Sequence, residues 1–187
     1  MTESTLSSAI EAAAQSFLSG LSVDSFQTLS DKVIDGCMKN LMNQVNGHAA
    51  AVWVHQSSDE GEVLTIAYNI GEKGRDVEGV VSQSLDSGLV SKAYKDLETI
   101  CHQGFFKHKE QSAEVDKELG QITAHQIAAP FQLFGQTVGA ITVIQTLATG
   151  VAQQSEWGFD ESDVSVFKDS AEAIQRLFEL NAIRSLS

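Results

Sequence analysis

Apolar residues recur along this chain at two spacings, and the spacing separates helices from strands. From Ser4 to Gly20, Leu6, Ile10, Ala13, Phe17 and Leu21 return every three or four residues, with Thr5, Ser8 and Glu11 between them. That is the period of an amphipathic helix, and Gly20 ends it. A second helix is predicted from Asp24 to Val45, with Phe26, Leu29, Val33, Cys37, Leu41 and Val45 on one face. Asn46-Gly47 closes it with residues suited to a left-handed cap. A third long helix starts near Phe159-Asp160 and carries Val164, Phe167, Ala171, Ile174, Phe178 and Ile183 as its stripe. Asp160 is placed to cap its first amides, and Glu161 and Asp163 favour the positive end of its dipole.

Between the helices the period shortens. Ala50–His55 is apolar and partly β-branched, and Glu62–Tyr68 is its predicted antiparallel partner across Ser57–Gly61, which has turn chemistry. A turn-rich stretch, Gly71–Asp76, leads to Gly79-Val80-Val81. A short helix over Gly88–Leu97 then aligns Leu89, Ala93 and Leu97, and Thr99–His102 reads as a short strand. Residues 103–121 are polar, with Phe105 and Phe106 embedded; they predict a loop carrying a helical piece, Gln111–Leu119. Two long strands, His125–Phe134 and Thr137–Thr146, turn at Gly135-Gln136.

Composition narrows the picture. The 187 residues are 42% apolar and 20% charged, which is ordinary for a globular chain. A chain of this size can bury roughly 70% of its unfolded surface without a disulfide or metal staple. Twelve Lys and Arg against 25 Asp and Glu give a net charge of −13. That balance excludes nucleic acid and anionic membranes as expected partners, because both are bound through cationic side chains. The densest basic group, Lys92, Lys95, Lys107 and Lys109, is offset by Asp96, Glu98 and Glu110.

The 37 residues between Glu118 and Glu156 carry no Asp, Glu, Lys or Arg. His125, Pro130, Gly135 and Gly139 interrupt them, so they read as strands and not as a membrane span. Residues 1–31 hold no Lys or Arg, so an export signal with a positive start is not expected. Two cysteines, Cys37 and Cys101, cannot form a disulfide framework, and reduced thiols in the cytoplasm are the simplest account. No repeat appears. The expected organisation is an N-terminal helix, 1–22, followed by one domain over 23–187.

The order of elements resembles a GAF domain. Ala50–Val54 resembles that family's first sheet strand, and Gly88-Leu89-Val90-Ser91-Lys92-Ala93 its glycine-led helix. Ile127-Ala128-Ala129-Pro130-Phe131 is similar to its apolar-Pro strand, and Gly135 to Val143 to the turn and strand that follow. Phe159–Asp163 resembles the start of its closing helix. The resemblance covers roughly residues 24–184. It implies an α+β fold: a central antiparallel sheet of five to six strands flanked by helices, GAF/PAS-like, with N- and C-terminal helices packing together. It also implies a small-molecule pocket under one face of the sheet, for which the sequence names no cofactor.

Cys101-His102 is the sharpest chemical pair. Neighbours on a strand point to opposite faces, so the two cannot act as nucleophile and base without a second histidine such as His108 or His125. Free methionine sulfoxide reductases of the GAF family rely on several cysteines, whereas here Cys37 belongs to a flanking helix. Phytochrome-type GAF domains attach bilin through a Cys-His pair, but their upstream Asp-Ile-Pro-like motif is absent. Cys101, His102, His108 and His125 are spaced at one, six and seventeen residues and supply no second close pair of zinc ligands, so no metal is expected. No phosphate-binding loop is present.

Phe105 and Phe106 are costly to leave in water, burial of each being worth roughly 1.5–3 kcal/mol. In the GAF likeness their segment borders the pocket. The candidate ligand-binding residues are therefore Cys101, Phe105, Phe106, His125 and Ile127. Apolar stripes at both chain ends exceed what one small sheet can cover, so Leu6, Ile10, Phe17, Phe178, Ile183 and Leu186 are the candidate homodimer interface. The expected function is a non-catalytic sensory module in which a ligand shifts a conformational population and a signalling partner in trans supplies the output. Two alternatives stay open: a small cysteine-dependent redox enzyme using Cys101, and a structural dimerisation adaptor whose pocket is filled.

Overall fold

The computed structural model describes residues 3–58, 61–104, 113–147 and 158–185. Phe105, Phe106, His108 and Leu186, with the side chains of Leu6 and Ile10, lie outside the described residues. The elements are α1 (Glu3–Ser19), α2 (Val23–Gln27), α3 (Lys32–Gln44), β1 (Ala49–Ser58), β2 (Gly61–Gly71), β3 (Ser82–Ser84), α4 (Leu89–Asp96), β4 (Ile100–His102), α5 (Ala113–Leu119), β5 (Ile122–Leu133), β6 (Gln136–Leu147) and α6 (Glu161–Ser185). The six strands form one antiparallel sheet in the order β3-β2-β1-β6-β5-β4.

One face of the sheet is covered by α3 and α6, with α2 against β2. Its core holds an aromatic cluster: Phe26 stacks on Phe178 at 4.5 Å between centroids, and Phe131 meets Phe178 edge-on at 5.5 Å. Phe178 is fully buried, which removes it from the expected dimer interface. The reason is the helix period. Phe167, Ala171, Ile174, Phe178 and Ala182 all face the sheet, and Ile183, one residue past that series, turns outward with nearly half its surface exposed.

The predicted helix over 24–45 is two helices. Asp31 is extended (φ −138°, ψ 179°), and its carboxylate accepts the Val33 and Ile34 amides at 2.9 Å each, so it starts α3 afresh. Ser22 and Ser25 form a reciprocal cap on α2. The restart rotates the buried face to Ile34, Met38 and Leu41, with Val45 buried just beyond α3, and leaves Val33 exposed. Helix α6 lies along α3, whereas α1 meets the core through Phe17, Leu18 and Leu21 near its end.

Asp160 begins α6 as expected: its Oδ1 accepts the Asp163 amide at 2.9 Å, and Asp163 Oδ2 accepts the Asp160 amide at 2.9 Å. The β5–β6 turn starts one residue before the predicted place, with positive φ at Phe134 (52°) and Gly135 (75°), the pattern of a type I′ hairpin. The unfavourable phenylalanine is held on two sides. Its amide donates to Glu179 Oε1 at 2.7 Å, and its ring meets Phe17 edge-on at 6.2 Å. Gln175 likewise accepts the Gln132 amide at 2.9 Å, so α6 covers the part of β5 that β4 does not reach. In α4, Leu97 is the left-handed C-cap (φ 58°) and is exposed, not aligned with buried Leu89 and Ala93.

Candidate ligand cavity

The opposite face of the sheet is roofed by the short helices α4 and α5, and the roof leaves a gap. Between roof and sheet is a cavity of about 180 Å³. Ala51 and Trp53 of β1, Ile66 and Asn69 of β2, Gln126 of β5, and Thr142 and Ile144 of β6 line it from the sheet side. Leu89 and Val90 of α4 and Val115 and Leu119 of α5 line it from above, and Gln83 of β3 joins them. Ala51, beside Trp53 on the cavity face of β1, leaves space there that a larger strand side chain would take.

The interior is mostly apolar with a few polar side chains set into it. The Trp53 indole N–H donates to Thr142 Oγ1 at 3.1 Å. Gln83 Nε2 donates to the Ser87 carbonyl at 2.7 Å and to Ser91 Oγ at 2.8 Å, which fixes its amide and leaves Oε1 as the acceptor. Asp116 accepts the Thr123 amide at 2.8 Å and the Thr123 hydroxyl at 2.7 Å, tying α5 to the start of β5. Gln126 is 7% exposed, and its carboxamide has no hydrogen-bond partner among the described residues. His48, Glu72 and Lys73 also line the cavity, and all three are exposed. His48 Nδ1 accepts the Thr146 amide at 3.0 Å at one end of the sheet.

The cavity wall is tied to the helix layer behind the sheet. The Asn69 side chain donates to the Gly74 carbonyl at 2.5 Å, and its backbone amide donates to Glu78 Oε1 at 2.9 Å. Glu78 Oε2 accepts from Gln27 of α2 at 3.3 Å. Arg75 donates to Asp35 of α3 at 2.9 Å, lies 4.8 Å from the Tyr68 ring centroid, and sits 3.8 Å from Glu78. Tyr68 also donates to Asp35. Burial raises the Glu78 carboxyl above its ordinary range, and burial together with Asp35 raises the Tyr68 phenol.

The structure brings Cys101, His125 and Ile127 together, but not at this cavity. Cys101 pairs with Ile127 across β4 and β5, and both belong to the helix-side core. His102 pairs with Gln126, so the Cys-His neighbours divide between the faces as the strand period requires. His125 Nδ1 accepts the Gly104 amide at 3.2 Å, and burial lowers its pKa. The Cys101 thiol is half-buried; burial and the nearby Asp163 carboxylate raise its pKa. Among the described residues no group of three or more His, Cys, Asp or Glu could hold a metal ion. No described helix is long and apolar enough to cross a membrane.

Sequence reasoning missed the residues that line the cavity. Their signal was present: Gln126, Thr142 and Thr146 are polar side chains inside the charge-free strand pair, at positions facing away from the helices.

With this geometry in hand, comparison with solved structures gives the fold. No family model matches the sequence, and no curated protein matches it significantly. The fold is that of GAF domains. The chain is similar to a GAF domain/HD domain protein from Geobacter sulfurreducens, with a TM-score of 0.62 and 13% identity over 87% of this chain and 99% of that one. It is similar to the GAF-B domain of DevS from Mycobacterium smegmatis (TM-score 0.58, 13% identity, 83% and 97% covered). A type II free methionine-R-sulfoxide reductase from Thermoplasma acidophilum aligns as well (TM-score 0.59, 15% identity, 83% and 96% covered).

Proposed function

We propose that the chain is a non-catalytic, cytoplasmic small-molecule sensor that works as a homodimer and hands its output to a partner protein in trans. The observation that carries the reading is the mostly apolar cavity with a few polar side chains on the face of the sheet away from α3 and α6, joined through Asn69 and Glu78 to α2. A ligand that orders the Asn69–Glu78 segment favours one packing of the helix layer, which is the differential interaction a population shift needs. GAF domains among the structural neighbours support a sensory role at the level of the fold. The outer surface of α6, with Leu180 and Ile183 exposed, is the proposed dimer face.

The redox reading draws on the sulfoxide reductase neighbour. Its candidate nucleophile argues against it. Cys101 faces the helix core, and a thiol with a raised pKa is a poor nucleophile at neutral pH. Native mass spectrometry of freshly purified protein, set beside a denaturing spectrum, tests the proposal. A dimer carrying mass that denaturation removes is the expected result. A bare monomer would contradict both halves, and mass that survives denaturation would point to covalent chemistry instead.

A further inference from the structure

Resting on that sensor reading, we propose that the cavity takes a small neutral cyclic amide, a uracil-like or lactam ring, whose adjacent N–H and C=O pair with the Gln126 carboxamide. Gln126 is more than nine-tenths buried, lines the cavity, and has no protein partner among the described residues. Its polar atoms open onto the cavity and have no side-chain or backbone partner among the described residues, so a bound group that pairs with both its N–H and its C=O replaces water there and fixes its own orientation. Its natural complement is another amide with N–H and C=O on the same side. Rings hold that arrangement, whereas open-chain secondary amides strongly prefer the opposite one.

The neighbours select the same chemistry. Thr142 already accepts from Trp53, which leaves its hydroxyl proton to donate, and Gln83 presents only its Oε1 as an acceptor. A ring with alternating carbonyls and N–H groups matches such a set. Charge is selected against. Among the described residues lining the cavity, the buried ionic side chain Asp116 is engaged by Thr123, and the lining cation Lys73 is exposed. An anionic ligand would therefore enter without a buried counter-charge. The roof of Leu89, Val90 and Val115 over the sheet suits a flat ring.

Isothermal titration of the full chain at neutral pH with uracil, 1,3-dimethyluracil and orotate tests this. Uracil is expected to bind, and both analogues to bind about tenfold more weakly or worse, one lacking its N–H groups and the other carrying a carboxylate. Gln126→Leu is expected to weaken uracil by about tenfold or more with its circular dichroism unchanged. No uracil binding, dimethyluracil binding within about threefold of uracil, or tighter orotate binding would each overturn the inference. The dimethyluracil comparison needs no variant and so does not depend on how Gln126→Leu folds. Loss of the inference leaves the sensor reading intact if native spectra still show a non-covalent mass; loss of that mass removes the sensor reading itself.

Discussion

The Asn69 backbone amide donates to Glu78 Oε1 at 2.9 Å, and that bond joins the cavity wall to the helices on the far side of the sheet. Asn69 lines the cavity, while Glu78 reaches Gln27 of α2 and lies 3.8 Å from Arg75, itself bonded to Asp35 of α3. Coupling between two faces of a sheet needs a physical connection with two arrangements. The segment from Gly71 to Val81 makes such a connection through Asn69, Arg75 and Glu78.

Glu78 gives that segment a pH signature. Its carboxyl is raised above the ordinary 4.5 by burial, with the Asn69 amide and Arg75 opposing the rise. The folded state therefore holds the proton more tightly than the unfolded chain. Its contribution to stability is fully present below pH 4.5 and is lost as pH climbs through the folded value. The stability of the wild type relative to Glu78→Gln should thus fall between pH 4.5 and 7 in urea titrations. A relative stability that rises over that range would mean the Arg75 pairing outweighs burial.

Phe178 and Ile183 separate core from surface on one helix. Phe178→Ala removes a fully buried ring from the cluster with Phe26 and Phe131, and should cost about 3–5 kcal/mol in denaturant unfolding. Ile183→Glu changes a residue that is 46% exposed. Its monomer fold should persist while light scattering shows the proposed dimer weakened. A stable Phe178→Ala protein that is merely monomeric would return Phe178 to the interface.

Gly139 tests the sheet. It pairs with Val54, and a methyl group there would lie 1.7 Å from the Trp53 carbonyl oxygen, inside the backbone of β1. Since backbone cannot yield as a side-chain tip can, Gly139→Ala should lose about 4 kcal/mol or more, or fail to fold. A variant with near wild-type melting would show that β1 and β6 are spaced more widely.

Much of this architecture was readable from residue patterns. The hairpins followed from period-two stretches around turn residues, and the start of α6 from Asp160 and Asp163. The break between α2 and α3 was hidden because Phe26, Leu29 and Val33 keep helical spacing across it; only the Asp31 cap reveals the restart. The site escaped for a related reason. In a strand buried on both faces, period two does not say which face is which, so the sequence reading took Ile127 as the candidate and passed over Gln126, until α6 covered one side. Cys101 drew attention by its chemistry, yet its strand register turned it from the cavity.

Cys101 should accordingly react slowly. With the thiol raised by burial and by Asp163, iodoacetamide at neutral pH should modify it about tenfold more slowly than an exposed cysteine peptide. Asp163→Asn should speed the reaction by removing the like charge. Modification as fast as the peptide's would revive the cysteine enzyme.

The most direct test of the account fills the cavity. Ala51 points into it from β1, and Ala51→Phe would occupy the space beside Trp53 without touching the helix-side core. Native mass spectra of the wild type and of this variant, prepared identically, should differ. The wild type should carry a non-covalent mass, and the variant should fold, dimerise and carry none. A bound mass equally present in both, or absent from the wild type, would contradict the cavity as the seat of function.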